Sequence, residues 1–231
     1  MNFSDWKQYY DDICADFGID QSKDEIAAEI FDILIHNYLN KYVNENFFFD
    51  MIKGKKVFIF GASPALESDI VTNKDDLDDY VVIAADGATS AFIKYDIYPD
   101  IIVTDLDGVV VDQINANMNG SILVIHAHAD NISTIQEAIP KIKGNFFGTI
   151  QTNPKHHHYV HNYGGFTDGD RSVFFADHFH PNHITLGGFD CRSEPGFYSY
   201  QNKKNIKIKR KKLHWCEKLL ENFPPDYLKK I

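Results

Sequence analysis

Two aspartates, Asp105 and Asp107, directly follow the apolar run Ile101–Thr104 and precede Gly108. Residues i and i+2 of a strand share a face, so just past the strand end both carboxylates can converge on one cation. Oxygen-only donors favour Mg2+, which is typically held by one or two carboxylates together with substrate phosphates. Each aspartate could instead serve a turn or a helix cap, and Gly108 suits a turn, but two acids flanking Leu106 exceed what capping needs. A second polar run, His126-Ala127-His128-Ala129-Asp130-Asn131, closes the apolar run 121–125. It reads either as a zinc constellation of imidazoles and a carboxylate, or as Asp130 in a Mg2+ shell with His126 and His128 directed at phosphate oxygens. A histidine simply hydrogen-bonded at a strand end is the plainest alternative. A third cluster, Gly-Gly-Phe-Thr-Asp-Gly-Asp-Arg at 164–171, leads into an apolar helix containing Val173 and Phe174. Its backbone N–H groups could face an anion. Thr167, Asp168 and Arg171 suit the hydrogen-bonding edges of a heterocycle or ribose, whereas Asp168 or Asp170 could merely cap the helix.

These groups need a scaffold that gathers strand ends. The runs 57–60, Val81–Ala85, Ile101–Thr104 and 121–125, with strands near 147–151 and at 183–186, are apolar along their length, as in strands covered on both faces. Helical segments alternate with them: one opened by Ser63-Pro64 as N-cap and N1, one near 89–95, one opened by a Ser133/Gln136 capping box, and one near 171–179. The alternation predicts an α/β fold, a Rossmann-like, mainly parallel sheet flanked by helices. Polar groups then line the carboxyl rim where such sheets bind ligands: Gly61-Ala62-Ser63, Asp86-Gly87, Asp105/Asp107 and the 126–131 run. The first fifty residues carry no strand signal. Ser22 and Glu25 form a capping box, and Ile26, Ile30, Ile33, Leu34 and Tyr38 recur at helical spacing. Ile206 and Ile208, alternating with lysines, predict an edge strand, followed by an amphipathic helix over 213–223. The expected organisation is a single domain with an N-terminal helical cap at 1–50, an α/β catalytic unit at 51–231, and a C-terminal strand–helix extension.

A chain of 231 residues, 44% hydrophobic and 24% charged, excludes wholesale disorder and permits a real core. Its apolar runs fall far short of the ~20 residues of a membrane helix. Residues 1–20 carry Asp5, Asp11, Asp12 and Asp16 and no apolar signal-peptide core. Cys14, Cys191 and Cys216 are far apart and without C-x-x-C spacing, which reads as reduced thiols of a cytoplasmic protein. The net charge of −10, from 33 acidic and 23 basic residues, repels a phosphate backbone and weighs against nucleic acid as partner. Lys203, Lys204, Lys207, Lys209, Arg210, Lys211 and Lys212 are the local exception, either a solvated face or a holder for a polyanionic small molecule. His156, His157, His158 and His161 read as loop residues at the surface, or as a histidine lid over a phosphate site.

Asp105-Leu106-Asp107-Gly108-Val109-Val110 is similar to the nucleophile motif of haloacid-dehalogenase-type phosphatases. In that fold the motif lies on the first core strand, and the later Gly-Asp-x-x-x-Asp motif has Phe174 where its second acid belongs. A broader match is Ala84-Ala85-Asp86-Gly87-Ala88 with Pro99-Asp100 leading through Ile101–Thr104 to Asp105-Leu106-Asp107. It resembles the signatures of thiamin pyrophosphokinases, departing at Thr104 and Gly108, where that family has Gly and Ser. The 126–131 run and the 164–171 cluster look like the archaeal 6-hydroxymethyl-7,8-dihydropterin pyrophosphokinase (MptE-like) family, a distant relation of the thiamin enzymes. The resemblance runs from about residue 55 to residue 213. It implies Mg2+-dependent transfer of a diphosphate from ATP to the hydroxymethyl group of the pterin, release of AMP, a place in folate- or methanopterin-type synthesis, and a homodimer. Asp105, Asp107 and Asp130 carry over as metal ligands, and the departures at Thr104 and Gly108 speak against thiamin as acceptor.

On this reading Asp105, Asp107, His126 and His128 carry the chemistry. Gly61, Ser63, Asp86, Gly87, Asn131 and Lys211 bind the phosphates of ATP, and Thr167, Asp168, Asp170 and Arg171 hold pterin or nucleotide. Phe166, Phe189, Phe197 and Tyr198 are candidate walls for a flat heterocycle. The rival readings are a thiamin pyrophosphokinase-like enzyme with another acceptor, a metal-dependent hydrolase on His126, His128 and Asp130, and a nucleotide-binding module without chemistry.

Overall fold

Strands that are apolar on both faces need cover on both faces, and the computed structural model, which describes residues 1–199, 206–223 and 228–230, supplies it. Eight strands form one parallel sheet: β1 (Lys56–Phe60), β2 (Val81–Ala85), β3 (Ile101–Thr104), β4 (Ile122–Ala127), β5 (Phe146–Ile150), β6 (Val160–His161), β7 (His183–Gly187) and β8 (Leu228–Lys230). Their order is β6-β5-β4-β3-β2-β1-β7-β8. The chain therefore marches outward from β1 to β6, then returns to the other side of β1. A crevice opens at such a reversal, beyond the carboxyl ends of the two strands that flank it, and ligands of open parallel sheets bind there.

Alternate strand residues point to opposite faces, and each face has its own helices. Phe58, Phe60, Val82, Ala84, Ile102, Leu123 and Ile125 pack under α4 (Leu66–Asn73), α5 (Ala88–Lys94), α6 (Val110–Met118), α7 (Ile132–Ala138) and α2 (Gln21–His36). Val57, Ile59, Ile83, Ile101, Val103 and Val124 pack under α1 (Phe3–Phe17), α3 (Glu45–Ile52), α8 (Asp168–His178) and α9 (Ile206–Asn222). The N-terminal helices thus contribute to both layers. Buried Asp24 fixes their position, accepting hydrogen bonds from Tyr10 Oη, Gln151 Nε2 and the backbone N–H of Ala129.

Several sequence expectations shift. The helix expected to open at Ser22 begins at Gln21 with Asp20 as its cap, because the Asp20 carboxylate already accepts from the Ser22 N–H and hydroxyl. Ile26 and Ile33, expected on its inner face, are exposed, and Ala27, Ala28, Phe31 and Ile35 are buried in their place. Ser63-Pro64 precedes α4 by a turn, and Ser133/Gln136 lies inside α7, whose N-cap is Asn131. β4 runs on through His126 and Ala127, so His126 is a strand residue, and His161 belongs to β6 rather than to a loop. The expected edge strand at Ile206 and Ile208 is the first turn of α9. Trp215, Cys216, Leu219 and Leu220 form a buried helical stripe, and the Lys/Arg run before it, made of good helix formers, extends the helix backward. The outer strand next to β7 is β8. Lys203 and Lys204 lie outside the described residues. Among the described residues no helix is long and apolar enough to cross a membrane.

Candidate active site

Four carboxylates meet at the carboxyl rim. Asp86 follows β2, Asp105 and Asp107 follow β3, and Asp168 opens α8; one oxygen from each lies within 4.8 Å of the others. The turn after β3 makes this possible. Leu106 takes a left-handed conformation (φ 64°) and is buried. A backbone state that costs a non-glycine residue roughly 1 kcal/mol or more persists where the surroundings enforce it; here it lets Asp105 and Asp107 face the same point. Asp86 also has positive φ (40°), and its Oδ1 accepts hydrogen bonds from Thr104 Oγ1 and Gln113 Nε2, both 2.7 Å. Gly108 lies against the same carboxylate, where a Cβ would come 2.5 Å from Asp86 Oδ2. The two positions that depart from the thiamin-type signature therefore both serve Asp86.

The electrostatics are those of crowded acids. Burial, then the neighbouring Asp105 charge, pushes the carboxyls of Asp86 and Asp168 upward. Asp107 is raised by the same two causes, with Asp86 adding to them, although its side chain meets solvent in the cavity. Burial would raise Asp105 as well, but the hydrogen bond from His128 and the positive fields of Arg171 and Lys212 outweigh it and hold that carboxyl low. Four acids so placed cannot all ionise without compensation. The donor set is oxygen alone, the set a hard divalent ion takes, and its oxygens lie within 4.8 Å of one another, so these residues fit Mg2+.

The cluster opens on a cavity of about 330 Å3 at the β1/β7 reversal, the size of a small-molecule site. Gly61, Ser63, Asp86, Gly87, Phe166, Thr167, Asp168, Arg171, Phe189 and Tyr198 line it. At Gly87 a Cβ would strike the backbone oxygen of Tyr198 at 2.1 Å, so glycine is what lets the 196–199 segment cross the end of β2. α9 contributes Lys209 and Lys212 to the lining, and Lys212 Nζ sits 5.7 Å from the centre of the Phe166 ring.

Several expected site residues stand elsewhere. Asp130 is exposed and outside the cluster, and Asp168 takes the place expected for it. Asn131 does not line the cavity; its Nδ2 donates to the backbone oxygens of Asp105 and His126, and its Oδ1 accepts from His128 N–H, tying the ends of β3 and β4 together. Asp170 is fully buried, accepting from the N–H groups of Phe166 and Thr167 and from the Thr167 hydroxyl; it holds the loop that presents Asp168. Lys211 turns away to Asp16 (2.8 Å) and the Phe17 ring, so α9 offers the cavity its neighbours Lys209 and Lys212. Phe197 projects outward, 84% exposed.

Neither histidine lines the cavity. His128 Nδ1 accepts from the Asp130 N–H, which leaves the Nε2 proton to point at Asp105 Oδ2, 3.4 Å away. His126 is buried beside Thr149 Oγ1 (3.1 Å), and burial with the nearby Arg171 charge keeps it neutral. The ring centres are 6.4 Å apart, and among the described residues the group with metal-binding geometry is the aspartate cluster, so the zinc arrangement is not formed. Sequence reasoning missed Thr104 and Gln113 as supports of Asp86; the departure at Thr104 was the available signal.

Comparison with known proteins gives the family. Residues 33–195 match the family described as 6-hydroxymethylpterin diphosphokinase MptE-like. A protein named 6-hydroxymethyl-7,8-dihydropterin pyrophosphokinase from Methanocaldococcus jannaschii is 40% identical, over 99% of this chain and 96% of its own length. Proteins of the same name from Pyrococcus furiosus and Methanothermobacter thermautotrophicus are 38% and 35% identical, each over 96% of this chain and 94% of their own. An aspartate cluster at the reversal of a parallel sheet and near full-length similarity to three such proteins lead to one conclusion: the chain belongs to the MptE-like 6-hydroxymethylpterin diphosphokinase family.

Proposed function

We propose that this chain is a 6-hydroxymethyl-7,8-dihydropterin pyrophosphokinase that uses ATP and Mg2+ and releases AMP. The observation that carries the reading is the cluster of Asp86, Asp105, Asp107 and Asp168 lining one cavity together with the cationic side chains Lys209, Lys212 and Arg171. The acids would hold Mg2+, which when bound neutralises phosphate charge and supplies Lewis acidity. The cationic side chains would take the remaining phosphate oxygens. In the transfer, the hydroxymethyl oxygen bonds to the β-phosphorus while the bond from that phosphorus to the α,β-bridging oxygen breaks. The protein's part is to align these atoms and offset their charge.

The hydroxymethyl proton goes to a carboxylate of the cluster, since neither histidine reaches the cavity. His128 instead orients Asp105 through its Nε2–H, and Arg171, 3.2 Å from Asp168 Oδ1, orients Asp168. Pterin as acceptor rests on the relatives' names. The cytoplasm as location and the homodimer expected from the resemblance belong to the same reading; sedimentation equilibrium reads the latter.

The test is AMP formation from ATP with 6-hydroxymethyl-7,8-dihydropterin or thiamin as acceptor, in Mg2+ and in chelator. The pterin should support turnover, chelation should abolish it, and Asp105→Asn or Asp107→Asn should each lower kcat by roughly 100-fold or more. Turnover undiminished in both variants, or equal with thiamin, overturns the proposal.

A further inference from the structure

We propose that Cys191 and Cys216 form a modification site, a dithiol that a low-molecular-weight disulfide converts to an intramolecular disulfide joining the loop after β7 to α9. The two Sγ atoms are 3.5 Å apart, with the Cys191 thiol donating toward Cys216. Both residues line the cavity, Cys191 half-buried and Cys216 buried on the inner stripe of α9. A disulfide has an S–S bond of about 2.04 Å, so the sulfurs must approach by roughly 1.5 Å.

The surroundings permit that approach. Phe189 and Cys191 of this loop pack against the core that includes Cys216, and surface ion pairs, Arg192 with Glu217 and Glu221 and Arg210 with Glu194, add to the attachment. Such exposed pairs contribute little and are screened by salt. A covalent link would reinforce an attachment that is partly salt-sensitive, at the wall that carries Lys209 and Lys212. The third cysteine, Cys14, sits on α1 beside Tyr10.

The chemistry is thiol–disulfide exchange. Cys191, the more accessible sulfur, attacks as thiolate on one sulfur of oxidised glutathione. The S–S bond of the reagent breaks and one glutathione leaves. Cys216 Sγ then attacks Cys191 Sγ and expels the second. The protein gives up two electrons and two protons, and the glutathione disulfide becomes two thiols. The inference does not depend on the reaction assigned above and is read without substrate.

The full chain is equilibrated in glutathione buffers from reduced to oxidised, quenched in acid, and mapped as peptides without reduction. A 191–216 linked peptide should accumulate in the folded protein. Tm should rise by roughly 5–10 °C, revert with dithiothreitol, and rise further relative to the reduced form in 1 M salt. Cys191→Ser and Cys216→Ser should abolish both effects, and Cys14→Ser should keep them. Because Cys191 is only partly buried, its serine variant tests the proposal even if Cys216→Ser fails to fold. The proposal is overturned if both thiols stay alkylatable at every ratio, if linkage requires denaturant, or if Cys191→Ser shows the same rise in Tm.

Discussion

Asp86 is the residue whose role the sequence conveyed least. Placed at a strand end, it read as one of several phosphate contacts, yet Thr104, Gln113 and Gly108 are all arranged around its carboxylate. The Asp105/Asp107 pair was legible because its spacing alone brings two acids together. Asp168 was not legible as their partner, because a loop far along the chain delivers it and local spacing carries no trace of that. The histidines misled for a related reason: His-x-His shares a strand face, but β4 ends between the two residues, leaving His126 in the interior and His128 at Asp105. Gly108→Ser tests the arrangement around Asp86. Its Cβ would stand 2.5 Å from Asp86 Oδ2, so the carboxylate must move. A shift of about 1 Å at a reacting centre can cost on the order of 100-fold, and we expect kcat/KM to fall roughly 10–100-fold with little change in Tm. Wild-type turnover in Gly108→Ser would mean that Asp86 has room to spare.

Among the elements, β1, β2 and β3 were legible almost to the residue, because an uninterrupted apolar run ending at Gly or Asp leaves few alternatives, and β5 and β7 were placed within a residue at each end. Helix starts were less so. Ser22, Ser63 and Ser133 are all competent caps, but Asp20, Ala65 and Asn131 occupy the N-cap positions, since tertiary contacts choose among adjacent candidates. α6 gave no apolar stripe to read: it buries Gln113 and Asn117 and exposes Val111. The junction of β3, β4 and α7 gives an element-scale prediction. Asn131→Leu leaves the buried carbonyls of Asp105 and His126 and the His128 N–H without their partner. At about 1–3 kcal/mol for each group fully stranded, partly relieved by water, the loss should be about 2–4 kcal/mol, or roughly 5–15 °C in Tm. Thermal unfolding reads it, and a Tm unchanged in the variant would show that these strand ends hold together without the clamp.

At the scale of the molecule, alternation of strands and helices foretold a parallel sheet but not its order. The return of β7 to the far side of β1 follows from α8 covering the face opposite α4–α7, and that return creates the crevice. The N-terminal helices, legible as helices but not in their placement, are joined to this second half through Glu45. Its carboxylate, at the start of α3, accepts from Tyr163 Oη at 2.8 Å and lies 3.4 Å from His178 Nε2 at the end of α8. The His178 hydrogen bond, with Tyr163 assisting against partial burial, lowers the Glu45 pKa to about 2. An unfolded glutamate titrates near 4.3, so between these values the folded chain binds fewer protons than the unfolded one. Stability from this group is therefore complete above about pH 4.3 and drains away as pH falls toward about 2. The side chain is 37% exposed, so water screens the pair, and the effect is best read as a difference between variants. Glu45→Gln should unfold at lower Tm than wild type at pH 6, and the gap should narrow steadily from pH 5 to pH 2 as the wild-type carboxylate protonates. A gap that stays constant over that range would mean that Glu45 holds α3 to α8 by packing rather than by charge.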